Sequence, residues 1–137
     1  MEAHPTGKES VSCQQGTIGF IDIHIALAGS KTTNTCKSVT AEIIPHFRPK
    51  LWPKLYYKEH YEEIKSHPLR IKGHLFFDGS HRPCGDPQMG DRDPLRRSSW
   101  EIHPVYSMDV CSNKSLSGCK VDDESVWTAF DEWIAAQ

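Results

Sequence analysis

The chain has no Cys-x-x-Cys pair, which argues against a zinc ribbon or a thioredoxin-type redox motif. It has no apolar run near the roughly 20 residues of a membrane span. Its opening segment, MEAHPTGKESVSC, lacks the apolar stretch of a secretory leader. Neither sign of charge dominates. The 16 Lys and Arg stand against 18 Asp and Glu, a net charge of −2, so no whole-protein field draws in nucleic acid, although a local basic patch is compatible with this balance. The His-Glu-x-x-His, phosphate-loop and nucleophile-elbow signatures are all missing, and there is no internal repeat.

What is present fits one globular domain. A length of 137 residues allows a modest core, and the hydrophobic (37%) and charged (25%) fractions are those of a folded chain. Residues 1–17 are polar and aperiodic and read as a flexible arm; 18–137 read as a single domain. Cys13, Cys36, Cys84, Cys111 and Cys119 fall in or beside predicted loops and strand ends, as the disulfides of exported proteins often do. Spacing leaves their connectivity open. Cys13 with Cys36 could join the loops around the first strand, and Cys84 with Cys111 or Cys119 could staple a long loop; inert reduced thiols are the plain alternative. Cys84, near His81, has the neighbouring base that a nucleophilic thiol needs. An export leader upstream of Met1 would reconcile the cysteines with the missing apolar segment; otherwise the chain reads as cytoplasmic.

Hydrophobic period sets the predicted elements. In IGFIDIHIALA, Ile21, Ile23, Ile25 and Leu27 share one face and Phe20, Asp22, His24 and Ala26 the other, a strand pattern. SVTAEIIPHF reads as a second strand, with Pro45 near its end. After Pro53 the period changes, and Tyr57, Tyr61 and Ile64 lie at helical spacing. LRIKGHLFFD alternates again. Ile71, Leu75 and Phe77 face one side, Arg70, Lys72, His74, Phe76 and Asp78 the other, and Gly73 marks a bulge. A long loop over 79–97 leads to a strand over 98–111, in which Trp100 and Tyr106 are expected in the core. DDESVWTAFDEWIAAQ predicts an amphipathic helix through Val126, Phe130, Trp133 and Ile134.

The order is strand, strand, helix, strand, strand, helix. An OB-fold, a five-stranded Greek-key barrel, runs three strands, a helix and two strands. The chain matches if one strand is missing ahead of Ile18, so the expectation is a mainly β, OB-like small barrel with an intervening and a C-terminal helix; a small α+β sheet is the competitor. The blocks DIHIALA, TAEIIPHFRP, GHLFFDGSHRPC and WEIHPVYSMDVC together resemble a group of small bacterial proteins in which the same blocks recur in the same order. The resemblance spans roughly residues 13–111. It implies an OB-like barrel, probable export and no particular reaction.

Each predicted strand pairs an acid with a histidine on its non-aliphatic face: Asp22 with His24, Glu42 with His46, His74 with Asp78, Glu101 with His103. Imidazole and carboxylate ligate zinc and other first-row metals, and a histidine polarised by a carboxylate can act as a base. Asp22, His24, Glu101 and His103 are the candidate ligands of a divalent metal such as zinc, and of a metal-dependent hydrolase built on it. The plain reading is that acid–histidine pairs are ordinary outward-facing polar contacts. The rival function is binding. OB-folds take single-stranded nucleic acid or oligosaccharide on aromatic and basic surfaces, and here Arg70, Lys72, His74 and Phe76 share a face. Arg48, Lys50, Arg82, Arg96 and Arg97 are further cations, although DRDPLRRSS reads as a mixed, solvated loop. A structural accessory domain is the third reading.

Overall fold

The computed structural model describes residues 2–5, 16–17, 19–29, 32, 34–56, 58–91 and 94–137. Cys13 and Tyr57 lie outside the described residues. Among the described residues six strands form one sheet: β1 (Glu2–Pro5), β2 (Ile23–Leu27), β3 (Val39–Ile43), β4 (Leu69–Phe77), β5 (Trp100–Cys111) and β6 (Trp127–Ala129). Their order is β1-β2-β3-β5-β4, with β6 on β5. All pairs are antiparallel except β3–β5, which run parallel through Ala41 and Ile102. Two short helices, α1 (Lys58–Ile64) and α2 (Phe130–Ala135), complete the elements with several 3-10 turns. Among the described residues no helix is long and apolar enough to cross a membrane.

One face of the sheet carries the core. The alternation of β2 buries Ile23 and Ile25, β3 adds Ala41 and Ile43, and β5 adds Val105, Met108 and Val110. Trp52 and Leu55 from a 3-10 turn, Ile64 of α1, and Phe130 and Ile134 of α2 close over them. Helices thus cover one face, and the opposite, polar face of β2, β3 and β5 meets the loop that carries Arg96. That face holds the candidate site.

The expected closed barrel is not formed. β1 pairs with β2 and not with β4, so the sheet stays open between its two edges. With nothing over the outer half of β4, Leu75 is 72% exposed and Phe77 52%, although alternation puts them on the core side. The bulge expected at Gly73 is present, with register shifts on either side of it. A Cβ there would lie 2.4 Å from the carbonyl oxygen of Pro104 and 2.5 Å from Ile102 Cγ2, so the backbone of β5 approaches where only glycine leaves room.

Three further expectations change. The C-terminal segment is not one helix. Asp123 caps a 3-10 turn at Glu124–Val126, and Trp127–Ala129 then adds β6 to the free edge of β5 before α2 begins. The aromatic and β-branched residues Trp127 and Thr128 favour that strand, and Arg70 stacks on the Trp127 ring at 5.0 Å. Trp100 and Tyr106 are not core: they are 50% and 46% exposed, and their rings meet other exposed rings, Phe77 and Phe47 respectively. The disulfides are Cys36–Cys84 and Cys111–Cys119, so Cys36 does not take Cys13, Cys84 takes neither Cys111 nor Cys119, and Cys84 is no free nucleophile.

Candidate functional site

The polar face is organised by cross-strand register. His24 on β2 stands opposite Glu42 on β3, and the β3–β5 pairing at Ala41 and Ile102 sets Glu101 and His103 beside Glu42. His24 Nε2 meets Glu42 Oε1. Glu42 Oε2 meets His103 Nδ1, and Glu101 Oε1 approaches the same nitrogen at 3.2 Å. The remaining oxygen of Glu101, Oε2, accepts from an Arg96 guanidinium nitrogen at 2.9 Å. That same nitrogen donates to Asp78 at 3.1 Å, and His81 Nδ1 lies 2.6 Å from Asp78. A chain of alternating carboxylates and nitrogen-bearing side chains therefore crosses the face from β2 to the loop after β4.

The carboxylates Glu42 and Glu101 are buried, and the Arg96 side chain is only 1% exposed. Arg96 comes from the long loop, pinned by Cys36–Cys84 and by a backbone hydrogen bond from Cys84 N–H to the Arg96 carbonyl at 2.9 Å. Its Nε has no hydrogen-bond partner among the described residues. A cleft of about 230 Å³, lined by His24, Thr35, Thr40, Pro94, Leu95 and Arg96, shares two residues with the cluster.

The charges set one another's protonation. Hydrogen bonds donated by its ring to Glu101 and Glu42 push the His103 imidazole up to about 10, against the cost of burying it. Burial works to raise the Glu42 carboxyl, but hydrogen bonds from His103 and His24 outweigh it and hold the group well below the usual carboxylate range. Burial also opposes Asp78, and the Ser80 and His81 contacts again win and lower it.

These shifts make stability pH-dependent. His103 is raised above its ordinary 6.5, so its contribution is complete below pH 6.5 and is lost as pH rises through about 10. Glu42 is lowered below its ordinary 4.5, so its contribution is complete above pH 4.5 and is lost as pH falls. Chelator-treated protein is expected to show a plateau of denaturant stability between those ordinary values and a decline on either side. Replacing His103 by Gln should flatten the alkaline limb; an unchanged alkaline slope in that variant would refute the assignment.

Of the four expected metal ligands, His24, Glu101 and His103 come together. Asp22 is not part of the Glu42, Glu101 and His103 group: it is buried just before β2 begins. Glu42, expected to pair with His46, takes that place. His46 lies in the turn beyond the end of β3. Of the four expected binding residues, Lys72, His74 and Phe76 are exposed. Arg70 is instead tied to Asp109 at 2.8 Å and to Glu124 at 2.7 Å.

Aromatic rings border the cluster. Phe76 packs on His103 at a ring separation of 5.3 Å, and Tyr106 packs on His74 at 5.1 Å and on Phe47 at 5.9 Å. The Tyr106 hydroxyl and His74 Nδ1 are 2.8 Å apart. Phe47 and Phe76 are 58% and 48% exposed, so flat apolar rings face solvent beside buried carboxylates.

No protein family, curated protein or solved structure matches the chain. Function rests on the geometry alone.

Proposed function

We propose that this chain is an OB-like binding module whose polar face takes an oligosaccharide. The fold supports the OB-like reading through its element order. Glu2–Pro5 supplies a strand ahead of β2, so β1, β2 and β3 precede α1, and β4 and β5 follow it. The two disulfides favour an oxidising compartment, one of the two that the sequence leaves open.

The observation that carries the ligand class is the pairing of exposed Phe47, Phe76 and Tyr106 with buried Glu42 and Glu101 and half-buried His103 on one face. Aromatic rings offer flat apolar platforms to the C–H faces of a sugar, and the exposed His74 and half-buried His103 imidazoles beside them offer polar contacts to its hydroxyls. A phosphate backbone would need cations instead. Of those proposed from sequence, Arg70 and Arg96 are held in ion pairs and Arg48 donates to the Ile21 carbonyl at 3.0 Å. A polyanion reaching this face would meet Glu42 and Glu101.

Calorimetric titration against a panel of neutral oligosaccharides and against a single-stranded oligonucleotide tests this. A saturable oligosaccharide partner is expected, weakened on the order of ten-fold by Phe76→Ala. Salt-sensitive oligonucleotide binding with no oligosaccharide bound would overturn it in favour of the nucleic-acid reading.

A further inference from the structure

We propose that Glu42, Glu101 and His103 form a divalent-cation site, with His24 and Arg96 as the groups that orient its two carboxylates. The site goes beyond the sugar-binding reading and stands or falls separately.

The case begins with the division of labour between carboxylate oxygens. Glu42 has one oxygen, Oε1, held by His24, and Glu101 has one oxygen, Oε2, held by Arg96. The other oxygen of each, Glu42 Oε2 and Glu101 Oε1, turns to the same nitrogen, His103 Nδ1. A single ring N–H is one donor and cannot satisfy two carboxylate oxygens with good geometry. Glu42, Glu101 and His103 can each present one ligand atom so that all three lie within 4.8 Å of one another. That is the arrangement of two oxygens and one nitrogen around a cation.

The chemistry of the donors names the ion. Two carboxylate oxygens and one imidazole nitrogen suit a first-row divalent metal, zinc foremost. Cys36, Cys84, Cys111 and Cys119 are locked in disulfides and offer no competing thiolate. Metal-ligating carboxylates are characteristically held by a further hydrogen-bond partner, the part His24 and Arg96 play here. Three protein ligands leave at least one coordination position open, as in metals that hold water or a ligand atom. The Phe76 ring over His103 and the cleft reached through His24 and Arg96 flank the site, so that position lies next to the aromatic face. A divalent cation bound at His103 Nδ1 takes the place of the proton on that nitrogen, which passes to solvent, and gives the two buried carboxylates a doubly charged partner.

The test is titration of Zn²⁺ into the full chain after stripping with chelator and exchange into chelator-free buffer, with metal content read by mass spectrometry. One Zn²⁺ per chain is expected, with affinity falling at least ten-fold in Glu101→Gln and in Glu42→Gln, and unchanged in His67→Gln. His67 lies outside the cluster, its Nδ1 2.7 Å from the Cys111 carbonyl oxygen. Near-ultraviolet circular dichroism checks that each variant folds. Should the glutamine variants fail to fold, the wild-type chain loaded with Co²⁺ decides: paramagnetically shifted ring signals from His103 are expected. No saturable metal, equal affinity in the folded glutamine variants, or Co²⁺ shifts confined to other histidines would each overturn the site.

Discussion

Arg96→Met is expected to cost the fold about 3–5 kcal/mol, the range for breaking a buried ion pair by removing one partner. The side chain is 1% exposed and its guanidinium spans Asp78 and Glu101, whose side chains are 12% and 3% exposed. Removing it leaves two carboxylates facing each other in a poorly solvated space with no cation between them. The loss belongs mainly to the stranded Glu101 charge, and this can be separated. Replacing Glu101 by Gln in the Arg96→Met background removes that charge, so the double variant should recover a substantial part of the loss. Urea denaturation of the two single variants and the double closes the cycle. A loss below 1 kcal/mol in Arg96→Met, or strict additivity, would show that solvent reaches the pair and that the network is a surface contact.

The second large effect is the difference between the disulfides. Cys36–Cys84 spans a separation of 48 residues and Cys111–Cys119 one of 8. Loop-closure entropy makes their removal cost about 4 and about 2.5 kcal/mol respectively. Paired replacements, Cys36→Ala with Cys84→Ala and Cys111→Ala with Cys119→Ala, should therefore lower the denaturation midpoint unequally. The longer bridge also fixes the loop that delivers Arg96, since Cys84 donates to the Arg96 carbonyl. Its loss should loosen the acid–histidine face before the helical side of the sheet, which amide hydrogen exchange can resolve. Equal destabilisation by the two pairs, or uniform exchange, would argue against that role.

The sequence revealed the strands better than their neighbours. Alternation in Ile21–Leu27 marked both faces of β2, and the glycine in LRIKGHLFF marked the bulge in β4. His24, Glu101 and His103 were recognisable as outward-facing acid–histidine positions. Glu42 was visible too, but a pattern read along one strand assigned it to His46, whereas the sheet assigns it to His24 across the strand. Register lives between strands and has no local signal. The same limit explains Trp100 and Tyr106. Alternation says which residues share a face, not which face acquires a covering layer, and both rings stand half exposed. The cysteine pairs depend on which loops meet, again a property of topology. Arg96 looked like a loop cation among aspartates; nothing near it in sequence announced burial.

The parallel seam between β3 and β5 has a kinetic consequence. Every antiparallel neighbour in the sheet follows its partner in the order of strands or pairs on the same β5, but β3 and β5 are separated along the chain by the intervening helix and β4. Such long-range pairing is slow, because loop-closure entropy precedes its reward. Glu42 stands on one side of the seam and Glu101 and His103 on the other. The buried charges therefore lose their water late, once their partners are within reach. If that order holds, His103→Gln should speed unfolding and leave the folding rate nearly unchanged in stopped-flow measurements, whereas an equal slowing of folding would place the seam in the nucleus.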